Sequence, residues 1–403
     1  MVSNVVVQAG SVFPDMANAF NAVQYWTVQS GGAILNDQNE TFNATTITLE
    51  VDAGGLYDVN FRGNGAPGSD NNVYTQNLGT LTGAGTITCG ERGEIATQTL
   101  TITSTNYSSF SGTITDTNGD ALNFGKTGAG STLRLSGTNS YHGTTTVSGS
   151  GSTLLVDGIE NGGSNYTVNA GSILGGTGSI SAGIVLSSGT LLAGDGGGTL
   201  TVNNVLSGGG DTTIVSNANL TVNGQLGVSG GYLTTVYLTN ATLQLPLQSG
   251  SPSAFISTLN NDGNATLTYT TPNPAVGQFP LIAYSTIGGL AGGGTNGITL
   301  VPPAGTVAFL SNNVANGSLD VVVTAVPALV WRGTPANDWS ATSGDLNWLN
   351  GCLLYTSPCR RNLRRPILPR HQHRPAAHRQ THGRDCQEGK GRRHCPRRDG
   401  QRK

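Results

Sequence analysis

Along residues 1–351 aliphatic side chains alternate with small polar ones, and no helical period is present. Thr80-Leu-Thr-Gly-Ala-Gly-Thr-Ile-Thr, Thr99-Leu-Thr-Ile-Thr, Thr132-Leu-Arg-Leu-Ser, Ser152-Thr-Leu-Leu-Val, Gly198-Thr-Leu-Thr-Val and Asn219-Leu-Thr-Val all read as short half-buried strands. Gly-Gly, Asn-Gly and Ser-Gly turn signals separate them. The strands recur at a longer interval: Leu81 to Leu100 is 19 residues, Leu133 to Leu154 is 21, Leu154 to Ile173 is 19, Ile173 to Leu191 is 18 and Leu200 to Leu220 is 20. A period near 20 with two or three strands in it predicts one turn of a solenoid. Each turn leaves its inward face bare until neighbours stack on it and complete its hydrogen bonds. The expected fold is therefore all-β, a right-handed parallel β-helix. An antiparallel sandwich is the runner-up, but its turns recur every 8–12 residues without a longer period.

Small residues suit this geometry. Gly permits positive φ at tight corners, and Thr favours extended backbone. Asn203, Asn204, Asn217, Asn219 and Asn223 are placed to form ladders at corners.

Charge divides the chain. Residues 1–351 carry 5 Lys and Arg against 19 Asp and Glu, a net −14, while 352–403 carry 15 against 3, a net +12. Five of six His and four of five Cys also fall after position 351, leaving His142 and Cys89 in the body. Cys352-Leu-Leu-Tyr-Thr-Ser is what the mosaic-end DNA of sequencing libraries encodes in one frame, and the Arg-, His- and Pro-rich run after it looks like out-of-frame reading. Residues 352–403 are thus expected to be an adapter or frameshift artefact, non-native and disordered. The start at Met1 lacks the basic and apolar stretches of a signal peptide, no apolar run approaches the roughly 18 residues of a membrane span, and the chain reads as an internal fragment.

Gly125-Lys-Thr-Gly-Ala-Gly-Ser-Thr-Leu-Arg-Leu-Ser-Gly-Thr-Asn-Ser-Tyr-His-Gly-Thr-Thr-Thr-Val-Ser-Gly, ending in Leu154-Leu-Val, resembles the autotransporter-associated β-strand repeat. The match covers the whole motif, with His142 standing where a small residue is usual. Leu319-Asp-Val-Val-Val-Thr-Ala-Val-Pro resembles the closing strand of such modules, and Val330-Trp-Arg-Gly, Asp338-Trp-Ser and Asn347-Trp-Leu resemble the start of the next. The implied organisation is 1–250 passenger-like solenoid repeats, 251–327 a β region closing the module, 328–351 a truncated Trp-marked module, and then the tail. The resemblance implies a passenger stalk outside an outer membrane.

Catalytic signals are weak. Polysaccharide-cleaving β-helices need clustered carboxylates with basic partners, whereas the acids here are scattered. Asp116 and Asp120, with Glu91 and Glu94, come nearest to a cluster and read as solvated corner residues. His142 reads as a surface turn residue and Cys89, alternating with Ile87, as a small inward hydrophobe. Gly63-Asn-Gly-Ala-Pro-Gly lacks the helix a dinucleotide site needs, and Gly194-Asp-Gly-Gly-Gly reads as a loop rather than a calcium repeat. Trp331, Trp339 and Trp348 read as packing for the next module. The expected function is a non-catalytic structural or adhesive module at the bacterial cell surface. No catalytic, metal or cofactor residue is assigned. Glycans or cell-surface and matrix components are the expected partners, nucleic acid is not, and the chain is expected to be monomeric. The alternative is a carbohydrate-active β-helix enzyme, a polysaccharide lyase or hydrolase.

Overall fold

A computed structural model describes residues 4–13, 20–36, 42–60, 74–90, 97–104, 106–117, 119–272, 274–289 and 297–327. All lie in the compact unit Met1–Ala328. The segments 328–351 and 352–403 lie outside the described residues, as do Gly63–Gly68, Glu91 and Glu94. Every regular element described is a strand, and the chain winds as a parallel β-solenoid. The sandwich is excluded for the body.

One coil shows how the sequence makes the fold. Ala121–Lys126 lies on a first face, Thr132–Leu135 on a second and Thr138–Asn139 on a third; the next coil repeats them as Thr145–Val147, Thr153–Val156 and Ile159–Glu160. Each strand pairs in parallel with its counterpart one coil on, in the registers Phe124↔Thr145, Leu133↔Leu154 and Asn139↔Glu160. The first and second faces belong to one 21-stranded sheet. They merge because Thr75–Gly83 runs straight through, pairing with Thr97–Ile102 by its first half and with Ser108–Phe110 by its last residue.

Stacking puts like on like. Leu133, Leu154, Leu174 and Leu191 form one inward column, continued by Thr213, Val236 and Leu259, all with no exposed surface. Burying each aliphatic member stabilises the stack by about 1.5–3 kcal/mol. This register corrects the expected spacing. Leu154 pairs with Leu174, 20 residues on, rather than with half-buried Ile173, and Leu174 pairs with Leu191 only 17 residues on. Leu81 and Leu100 do not stack: Leu81 pairs with Leu49, while Leu100 pairs with Gln76 and Phe124 on the other face. Loops of unequal length make the repeat irregular although the ladder is continuous.

Glycine does two jobs at the corners. Between the first and second faces Gly130, Gly151 and Gly171 adopt φ of 64°, 71° and 75°, as expected of a left-handed corner. Between the second and third faces Gly112, Gly137, Gly158 and Gly178 are not left-handed. A Cβ on Gly137 would stand 1.8 Å from the Gly112 carbonyl oxygen, and one on Gly158 equally close to that of Gly137. Close approach of coils, not φ, requires glycine there. The Asn ladder is present in part: Asn223 donates to Asn203 at 2.8 Å and Asn240 to Asn217 at 3.3 Å.

In the large sheet the parallel order ends at Gly277–Gly289, which pairs antiparallel with Ser318–Ala325, and that strand pairs antiparallel with Val307–Asn313, while on the third face Ile298–Val301 still pairs in parallel with Ala265–Tyr269.

Candidate functional site

The third face consists of two sheets, one of five strands and one of eight. Its inward column reads Ile34, Tyr57, Ile87 and Ile114 in the first, then Asn139, Glu160, Ile180, Val202 and Val222 in the second. The apolar stack is thus interrupted by two polar residues at the seam. Across it Ser140 N–H donates to the Ile114 carbonyl at 2.9 Å, and Ile114 N–H donates to Asn139 Oδ1 at 2.9 Å. The Asn139 side chain replaces the backbone acceptor that the ladder lacks at this point.

The chain's chemistry-bearing side chains gather around this seam. Asp116 and Asp120 are 7 % and 4 % exposed, so the expectation that they are solvated corner residues is wrong. Asp116 accepts from Leu122 N–H at 2.9 Å and His142 N–H at 2.6 Å, and its Oδ1 lies 2.6 Å from His142 Nδ1. A carboxylate with two backbone donors is stabilised in the interior, and here it ties the end of one coil to both ends of the next. His142 itself is at the surface, as expected, its side chain 71 % exposed.

Glu160 lies one coil further in, 1 % exposed. Burial pushes its carboxyl up to about 7, against the pull of Tyr166, the Gly162 N–H and Tyr141. Tyr141 Oη is 2.7 Å from Thr145 Oγ1 and 3.3 Å from Tyr166 Oη, closing a polar cluster inside the coil stack. Burial likewise raises the Cys89 thiol, with Asp120, Asp116 and Asp58 adding to the shift, and so keeps it an inert core residue.

A second buried charge sits at the opposite corner. Leu122, Phe124 and Lys126 alternate inward along one strand, and Lys126 stacks between Ile102 and Val147. Its ammonium donates to Ser131 Oγ at 2.5 Å, Ser152 Oγ at 3.3 Å and the Gly128 carbonyl at 3.4 Å. With these neutral acceptors, burial lowers its pKa to about 8.

The arrangement can hold protons but offers little to a substrate. An exposed imidazole oriented by a buried carboxylate supplies a base and its orienting partner. The neighbouring hydroxyls are committed elsewhere: Ser140 Oγ donates to Thr115 Oγ1, and Ser164 Oγ donates to the His142 carbonyl, not its ring. Asp195, in the turn that weakly matches a calcium repeat, is held by Arg134, which also grips Asp157. Among the described residues no three His, Cys, Asp or Glu side chains are grouped to hold a metal ion, and no helix is long and apolar enough to cross a membrane.

The sequence signal for Lys126 was its parity with Leu122 and Phe124. Glu160 gave none, because its strand, Ile159–Glu160, is too short to show alternation. No family model matches the chain, and no curated protein matches it.

Proposed function

We propose that this chain is a non-catalytic structural and adhesive segment of a secreted surface protein, a stalk of the autotransporter-passenger type. The observation carrying the reading is the direction of its carboxylates. Asp58, Asp116, Asp120, Glu160, Asp211 and Asp320 are buried, whereas Glu50, Asp52, Asp157, Asp195 and Asp262 are not; Asp116 and Asp211 are hydrogen-bonded to backbone N–H groups of a later coil. On the third face Thr199, Thr201, Asn219 and Thr221 point outward along Thr199–Val202 and Asn219–Val222. An open groove of about 420 Å³ on the first face is lined by hydroxyls, glycine backbone and aliphatics, including Ser187, Ser207, Gly208 and Val228. Acids used this way hold coils together instead of converging on a sugar bond.

The resemblance of residues 125–156 to the passenger repeat supports the surface location. The test is incubation of the full chain with a polysaccharide panel, reading out reducing and unsaturated ends. No release is expected. Release that disappears in His142→Ala would replace the structural reading with the enzyme alternative, with the Asp116–His142 pair as its base.

A further inference from the structure

The closing sheet carries a face that the stalk reading does not use. Along Ser318–Ala325, Leu319, Val321 and Val323 enter the core, so alternation turns Asp320 and Val322 to the other side. In register, Pro280 and Ser311 flank Asp320, while Gln278 and Phe309 flank Val322. A polar cluster around Asp320 and an apolar pair, Val322 and Phe309, lie next to one another in this register.

The polar cluster is preorganised. Asp320 is 3 % exposed; its Oδ1 accepts from Ser318 Oγ at 2.7 Å, and its Oδ2 accepts from Gln278 Nε2 at 2.6 Å and Asn313 Nδ2 at 3.1 Å. These partners are all neutral. Each amide commits one N–H to the carboxylate and keeps its other N–H and its carbonyl oxygen. A cavity of about 450 Å³ opens over them, walled by Pro252 and Asn316, a size within the usual range for small-molecule sites of roughly 300–1,000 Å³. Phe309 is 53 % exposed; it pairs with Val322, two positions along the strand from Asp320, outside the cavity lining.

The geometry points to a subsite for a neutral saccharide on this outer face. Sugar hydroxyls both donate and accept, which suits a carboxylate flanked by amides that can do either, and the C–H face of a pyranose suits Phe309 and Val322. An acidic sugar would set a second carboxylate beside Asp320, a like-charge contact that disfavours it. The subsite rests on the adhesive reading of the segment and gives it a ligand class.

The test is saturation-transfer NMR and titration of the full chain with neutral gluco-, galacto-, manno- and N-acetylhexosamine oligomers, and with uronic acid oligomers as the anionic arm. At least one neutral oligomer binds and the uronic oligomers do not. Phe309→Ala weakens binding by about tenfold or more, equivalent to about 1.4 kcal/mol, at an unchanged melting temperature, because Phe309 is at the surface; Asp320→Asn weakens it by a similar factor. No neutral oligomer binding, equal binding of uronic oligomers, or undiminished binding in either variant overturns the subsite. None of these results touches the non-catalytic reading, which falls only if a polysaccharide is cleaved.

Discussion

At two corners of the same coil, stacked glycines recur with the same period for unrelated reasons. Gly130, Gly151 and Gly171 take left-handed backbone at the corner between the first and second faces, and a Cβ on Gly130 would meet nothing within 4 Å. At the corner between the second and third faces, Gly112, Gly137, Gly158 and Gly178 have ordinary φ but lie against the carbonyl of the coil below. The first corner is open and constrained by dihedral angle; the second is closed and constrained by space. Each has a buried ionisable residue near it, Lys126 by the open corner and Glu160 on the third-face strand that follows the closed one. A repeated glycine in a solenoid therefore does not by itself say what a substitution costs.

The largest effect separating the corners is expected from Gly137→Ala. Its Cβ would fall 1.8 Å from a backbone oxygen that the ladder fixes, so the coils must part; a loss above about 4 kcal/mol, read by denaturant unfolding, is expected. A loss below about 1 kcal/mol would show that the closed corner can relax.

Next comes the pH dependence of Glu160. Its folded pKa of about 7 lies above the ordinary 4.5, so the folded chain binds the extra proton between those values. Its contribution is full below about pH 4.5 and is lost as pH rises through 7, by up to about 3 kcal/mol. Glu160→Gln should flatten that part of the stability profile; an unchanged slope would remove the assignment.

Lys126 has the opposite sign. Its folded pKa, about 8, lies below the ordinary 10.5, so the unfolded chain holds the extra proton and stability rises with pH from about 8 to 10.5. Lys126→Met, which fills the same inward position without a charge, should abolish that rise and leave stability at pH 7 equal or higher.

The smallest effect is Gly151→Ala. The nearest atom to its Cβ is the Gly130 Cα, at 3.3 Å, so the left-handed φ dominates and about 1–2 kcal/mol is expected. Should Gly151→Ala prove as damaging as Gly137→Ala, the distinction between the corners fails.

The candidate site was less legible than the fold. Cys89 could be placed by its alternation with Ile87, and His142 by its position in a turn. Asp116 was misplaced because nothing in Thr115-Asp-Thr shows that its carboxylate meets Leu122 and His142, 6 and 26 residues on. Corner acids look solvated in a sequence; stacking supplies the backbone donors that let them be buried.

The sequence by itself determined the strands, the all-β class and the coiling, because period-two alternation and a repeat near 20 residues are local properties of the chain. It also determined that Leu133 stacks on Leu154 and Leu200 on Leu220. Only the tertiary structure decided that Leu100 belongs to a different face from Leu81, that the third face breaks at Asn139, and that the last strands turn antiparallel to expose Phe309 beside Asp320. The physical reason is that register depends on loop length and on which neighbour satisfies each backbone group, and both are settled only when coils meet.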